Sequence, residues 1–215
     1  MKRYNLNWFI CGLGAIVFLF SACSKDGDEP AQPDEGKPLS SVLVKNLPAD
    51  PSTRDLNDGT PIGADHRYTF FRFSDTTVVL YDSVEIDRSD SASQKWDIAF
   101  RGTSIILNDG KNGPGAVEAQ IVNQPLKELN EAPESGYQTG DVFQSWYSYD
   151  PQKHVITPKP GYILVIHTND DKYVKMQIVG YYKDMPEHPS VESNQRYYTF
   201  RYVIQQDGSR SFSKE

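Results

Sequence analysis

The chain has 215 residues, with 22 Lys and Arg against 29 Asp and Glu and a formal net charge of −7. That acidic balance supplies no concentrated basic face, which excludes nucleic acid as a partner. Two cysteines are too few for a disulfide framework, so stability has to come from a hydrophobic core, and a chain of this length can bury a substantial one.

Residues 1–22, MKRYNLNWFICGLGAIVFLFSA, begin with Lys2 and Arg3, continue in an apolar run from Trp8 to Phe20, and end on small Ser21 and Ala22. This is the pattern of a secretory signal peptide; the run is short for a spanning helix, which needs about twenty apolar residues. Cys23 directly after Ser21-Ala22 matches a bacterial lipoprotein box. It is the expected lipidated first residue of the mature chain, holding the protein to a membrane by acyl chains. Residues 23–40 contain SKDGDEPAQPDEGKP and almost nothing apolar, which predicts a flexible tether. The acidic start, with Asp26, Asp28 and Glu29, resembles the export signal of Bacteroidota lipoproteins displayed on the outer face of the outer membrane, so an outer-membrane, surface-exposed location is expected. Removing Lys2 and Arg3 with the signal leaves 20 basic against 29 acidic residues, a net charge of −9. Cys11 leaves with the signal and Cys23 carries lipid, so no cysteine nucleophile or thiolate metal site is expected in the mature chain.

From residue 41 to 215 the dominant period is two. HRYTFFRF (66–73), TVVLYDSVEI (77–86), KWDIAFRG (95–102), TSIILN (103–108), AQIVN (119–123), YILVIHT (162–168), YVKMQIVGYY (173–182) and RYYTFRYVIQ (196–205) are rich in β-branched and aromatic residues. In WDIAF the alternation places Trp96, Ile98 and Phe100 on one face and Asp97, Ala99 and Arg101 on the other, the mark of a half-buried strand. Asn169, Asp170 and Asp171 between two such runs predict a hairpin turn. Only QPLKELNEA (124–132) and SDSASQK (89–95) lean towards helix. The expectation is an all-β single domain of mostly antiparallel strands with short helical segments.

The glycine-rich stretch after 95–108, NDGKNGPG, lacks the Gly-Lys-Ser/Thr spacing of a phosphate loop, and Pro114 opposes helix entry. It is expected to be a connection between strands. No Gly-x-Ser-x-Gly, His-Glu-x-x-His or His-x-His occurs, so the common hydrolase signatures are missing and the chain reads as a binding protein, not an enzyme. Asp97 is the most conspicuous carboxylate, and its expected role is to accept backbone hydrogen bonds in a neighbouring turn. Of the four histidines, His167 lies on a strand face with Ile163 and Val165, and His66 enters a strand with no local partner. His154 lies in a proline-bounded loop, YSYDPQKHVITPKPG, and His188 follows Met185 in YYKDMPEHPS. Imidazole and thioether are both axial ligands for haem iron.

The residues 95–122, 131–137, 158–184 and 197–209 together resemble the HmuY family of Bacteroidota lipoproteins. The most specific part is Trp96-Asp97-x-Ala99-Phe100 leading into Asn108, Gly110, Gly113 and Gly115. The resemblance implies a mostly β fold shaped like a cupped hand, whose finger-like loops close over haem or a related porphyrin. It implies two axial ligands, histidine or methionine, and transfer of haem to a TonB-dependent outer-membrane receptor. Histidine-type members carry one ligand in a long finger before a Trp-aromatic stretch; here YQTGDVFQSW (137–146) is short and holds neither His nor Met. After Trp146 the nearest donors are Tyr149 and His154. His154 is therefore the first candidate axial ligand, followed by Met185, His188 and Tyr149. The alternative is a surface-anchored β-domain that presents its tyrosines to a non-haem ligand or a protein partner.

Overall fold

The computed structural model describes residues 39–57, 60–76, 78–79, 91–140 and 143–212. The signal peptide, Cys23, the tether up to residue 38 and residues 80–90, with most of the expected strand 77–86, lie outside the described residues. Among the described residues no helix is long and apolar enough to cross a membrane.

Thirteen strands are described: β1 (Val42–Pro48), β2 (Thr53–Arg54), β3 (Pro61–Ile62), β4 (Thr69–Phe71), β5 (Val78–Val79), β6 (Ile98–Arg101), β7 (Ser104–Leu107), β8 (Glu118–Asn123), β9 (Tyr147–Asp150), β10 (Val155–Pro158), β11 (Tyr162–His167), β12 (Tyr173–Tyr182) and β13 (Gln195–Gln205). They form a five-stranded sheet in the order β1-β13-β12-β11-β8, a four-stranded sheet in the order β5-β4-β6-β7, and the two-strand pairs β9–β10 and β2–β3. Every pairing is antiparallel. The fold class is all-β, as the period of two predicts, and the turn at residues 168–172 joins β11 to β12 as expected.

The two larger sheets face each other across an aromatic core. Phe71 meets Phe200 with centroids 5.2 Å apart, Phe73 meets Tyr202 at 5.1 Å and Phe100 meets Tyr198 at 4.7 Å. The other face of the five-stranded sheet is covered by Leu126, Leu129, Ala132 and Phe212 against Ile163, Val165 and Val203. Covering of both faces is why β11 is apolar without interruption instead of alternating. The expected helix at 124–132 contracts to one 3-10 turn, Leu126–Glu128. Buried Lys175 holds it, donating to the carbonyls of Leu126 and Leu129 at 3.1 Å each.

Trp96 departs from the face the alternation assigns it. The strand starts only at Ile98, so Trp96 packs with Phe70 and Ala99 on the outer side while Ile98 and Phe100 enter the main core. Both faces of β6 are consequently buried. Asp97 does what its type predicts: one oxygen accepts the Phe73 N–H at 2.9 Å and the other the Asn169 N–H at 3.3 Å. Burial pushes its carboxyl up from the ordinary value, against the pull of those two N–H groups. Folding therefore favours the protonated acid, and this part of the stability declines as pH rises through the shifted value.

The glycine-rich connection wraps around Asn108. The Asn108 amide donates to the carbonyls of Ser93 and Trp96, both at 2.9 Å, and its oxygen accepts the Gly115 N–H at 2.8 Å. A Cβ at Gly113 would collide with Asn108 and Trp96, and one at Gly115 with Asn169 and Asn108. Asp109 takes the N–H groups of Lys111, Asn112 and Gly140 at 3.1, 3.0 and 2.6 Å. With these amides satisfied inside the protein, the loop is a structural connection and has no cradle for phosphate. Asn108→Ala should lower unfolding free energy by about 3 kcal/mol, because it removes three hydrogen bonds and leaves the buried Gly115 N–H without its acceptor. In thermal unfolding this is a fall in Tm of roughly 6–12 °C.

Candidate ligand-binding cleft

Trp146 anchors the hairpin that carries two of the candidate donors. Its indole is buried against Tyr147, Tyr181 and Tyr198 and donates to the Thr103 carbonyl at 3.1 Å, while its own carbonyl accepts the Lys159 N–H at 2.9 Å. From that base β9 and β10 project as a hairpin with Asp150 opposite Val155 and Tyr149 opposite Ile156. The region around His154 is thus a β-hairpin turn, where the sequence predicts only a proline-bounded loop. Asp150 shapes the turn: one carboxylate oxygen accepts the N–H groups of Gln152 at 2.9 Å and Lys153 at 3.1 Å. The Lys153 and Gln152 N–H groups hold its carboxyl below the ordinary carboxylate range. His154 completes the turn in the left-handed region, with φ of 52°, a conformation His adopts more readily than most residues. Its Nδ1 lies 2.8 Å from the Tyr149 hydroxyl.

The second element is the excursion between β12 and β13. Asp184 and Met185 both have left-handed φ, 61° and 50°, which for side chains with a Cβ costs roughly 1–2 kcal/mol each. Asn46, far away in β1, holds them there. Its amide donates to the Asp184 carboxylate at 2.7 Å and its oxygen accepts the Asp184 N–H at 2.8 Å, while the Met185 N–H bonds to the Tyr182 carbonyl at 3.1 Å. The Met185 side chain lies over Gly180, where a Cβ would stand 2.8 Å from its Cγ and 3.3 Å from its sulfur.

Between hairpin and excursion lies a cleft of about 360 Å³ lined by Ile156, Pro158, Gly180, Tyr181, Met185 and Pro186 among others. The Ile156 N–H donates to the Tyr182 hydroxyl at 2.9 Å, fixing the hairpin to the end of β12. Met185 borders the cleft and is 44% exposed. His188 is exposed on the same excursion and does not line the cleft. The remaining histidines lie elsewhere: His167 stacks on Tyr173 at 4.6 Å and bonds Asp171 at 2.7 Å, and His66 is exposed, its backbone N–H donating to Asp50 at 3.2 Å. A larger groove, about 480 Å³, beside Pro125, Leu126 and Arg201 carries no imidazole or thioether. Among the described residues no group of three His, Cys, Asp or Glu could hold a bare metal ion. The lining suits an apolar surface, and the sulfur suits a soft or low-spin metal centre.

No protein-family profile matches this chain, and no curated protein is found similar to it. Solved structures do resemble it. The apo HmuY analog of Tannerella forsythia has a TM-score of 0.46 at 13% identity, covering 78% of this chain and 95% of its own. Apo PinO of Porphyromonas gingivitis has a TM-score of 0.47 at 13% identity, covering 80% of this chain and 99% of its own. HmuY-type proteins are thus among the solved structures similar to this chain, as they are the family its motifs resemble.

Substituting Gly180 by Ala should push the Met185 side chain off the strand with little effect on stability, within about 1 kcal/mol, because an exposed Met is free to swing aside. The Met185 methyl resonance in a 13C-methyl-methionine spectrum is expected to move; an unchanged resonance would show that Met185 does not pack there.

Proposed function

We propose that the chain is a lipid-anchored protein of the outer-membrane surface that captures haem, or a related porphyrin, and passes it to a TonB-dependent outer-membrane receptor. The observation that carries this reading is the strained Met185 turn, clamped by Asn46 at the mouth of an apolar cleft. Backbone strain held by a remote clamp is characteristic of binding sites, and a thioether beside apolar walls matches an iron porphyrin. The residues fit the group: Met185 offers sulfur, Ile156 and Pro158 offer apolar contact, and His154 and Tyr149 stand on the adjoining hairpin. When bound, haem supplies an iron that needs one or two axial donors. The protein has only to hide the ring and give it up again. The motif resemblance over residues 95–209 supports the same reading.

A second reading, a non-haem ligand or protein partner on this surface, is favoured by the exposure of Tyr149 and Met185, 51% and 44%, since large apolar side chains in solvent also mark protein contacts. One titration separates the two. The mature chain, residues 23–215 with Cys23→Ser so that no acyl chain is added and without tag histidines, is mixed with haemin in its oxidised and reduced forms. A saturable Soret shift at one equivalent is expected, and Met185→Ala should weaken ferrous binding about tenfold, roughly 1.4 kcal/mol, with a smaller effect on ferric haemin. A spectrum identical to haemin with a non-binding control protein would leave the second reading.

Anchoring is tested separately. Cys23→Ser in the full chain should abolish acyl labelling and release the protein from the membrane fraction; unchanged membrane partition would overturn the anchor.

A further inference from the structure

The groove beside Pro125 and Leu126 and the cleft beside Met185 meet on one strand, where Val179 lines both. Val179 is the extra residue of a bulge in β12. Ile178 pairs with Phe200 and Gly180 with Thr199, so three residues of β12 stand against two of β13. A bulge bends its strand and re-aims a side chain, and this one sets Val179 where groove and cleft adjoin.

The two cavities differ in charge. Among the described residues the cleft is lined by a single charged side chain, exposed Glu187, and by no cation. The groove is lined by Arg201 and Lys127, both exposed, with Glu128 as the one opposing charge. Among the described residues neither Arg201 nor Lys127 makes an ion pair, whereas Arg72, Arg196 and Arg210 are paired with Asp170, Asp50 and Glu131. Both cations stand on fixed backbone. Arg201 lies in β13 between Leu43 of β1 and Gln177 of β12, and Lys127 belongs to the 3-10 turn that Lys175 holds by the carbonyls of Leu126 and Leu129. Gln177 precedes Val179 by two residues, roughly 7 Å along the strand, a span that an arginine side chain covers.

We infer that Arg201, together with Lys127, receives the carboxylates of a porphyrin whose ring lies in the cleft, so that the ring is bound with its propionate edge turned to the groove. The inference rests on the porphyrin reading above and gives the ligand an orientation. An apolar ring that carries both carboxylates on one edge is repelled by Glu187 at one end of the trough and attracted by the cations at the other. The planar guanidinium of Arg201 matches a carboxylate with two parallel N–H bonds, which a lysine cannot offer. Leu126 and Val179 beside it shield the pair from water in part, which strengthens it over one in open solvent. In a chain of net charge −7, an anionic ligand needs a local site of this sign to approach at all.

The test compares metal-free protoporphyrin with its dimethyl ester, the same ring without the charges, by fluorescence titration of the mature chain in one fixed, low concentration of neutral detergent. Neither ring holds a metal, so no axial donor enters the comparison. The wild type is expected to bind the acid about fivefold tighter than the ester. Arg201→Gln should erase most of that preference while leaving the ester's affinity unchanged, which controls for folding and for the apolar cleft. Lys127→Gln should reduce the preference about twofold, as an exposed point charge does. Equal affinity of the wild type for acid and ester, or a preference that survives Arg201→Gln, would overturn the carboxylate site while leaving porphyrin binding intact. An equal loss for acid and ester in Arg201→Gln would overturn it too, since the effect would not depend on charge. A preference untouched by Lys127→Gln would remove Lys127 from the site. Saturable binding of neither ring would overturn the porphyrin reading and this inference together.

Discussion

The domain depends on a polar junction at one corner of the core, where Asp97, Asn108 and Asn169 meet. Asp97 and Asn108 are buried, and each satisfies backbone groups that no strand partner reaches. Asn169 adds an amide bond to the Trp96 carbonyl at 2.9 Å and accepts the Ala116 N–H at 2.9 Å. The junction therefore ties the start of β6, the end of β7 and the turn between β11 and β12, so that the two larger sheets are pinned where they would otherwise be free to slide. In a mature chain expected to hold no disulfide, such a network supplies a register that apolar packing alone leaves loose. Removing Asp97 or Asn108 leaves the buried Phe73 or Gly115 N–H without its acceptor, and a buried donor left alone costs more than its bond contributes.

How much of this was legible in the sequence follows from where the chain obeys a simple period. β12 and β13 were readable to within a residue, since β-branched and aromatic residues dominate both and the turn before β12 is built of Asn and Asp. β1 was not. Its apolar start, VLV, is cut by Asn46 in the left-handed region and by Pro48, and the pairing with β13 shifts register between Val44 and Leu47. β9 and β10 were hidden because YSYD and VITP are four residues each and end on turn formers. Trp96 fell on the wrong face because periodicity was extended two residues beyond the strand that generates it.

The candidate cleft divides in the same way. His154 stood out in sequence as a lone imidazole between prolines, with Tyr149 named beside it, but the contact between the two was not legible until the turn brought them together. The cue that was available is Asp150-Pro151, an Asx turn starter flanked by β-prone residues, which predicts a hairpin and so a meeting of the residues around it. Met185 carried no such local cue. Asn46 reaches its turn only through the preceding Asp184, and residues 46 and 184 are 138 positions apart, a separation at which a single sequence gives no account of the contact.

The two candidate elements share a mechanical plan that suits capture followed by release. Each is rigid at its base: Trp146 and the Tyr182 hydroxyl hold the hairpin, and the Asn46 amide holds the Met185 turn. Each is open at its tip, with Tyr149 and Met185 about half exposed. A fixed base means that little conformational entropy is lost when a ligand arrives, which favours capture. Under the proposed function, an open tip would leave the ligand an exposed edge by which a second protein could begin to take it. A fully enclosed pocket would bind more tightly but would have to unfold its cover before transfer, whereas donors carried on separate, independently anchored elements can be given up one at a time.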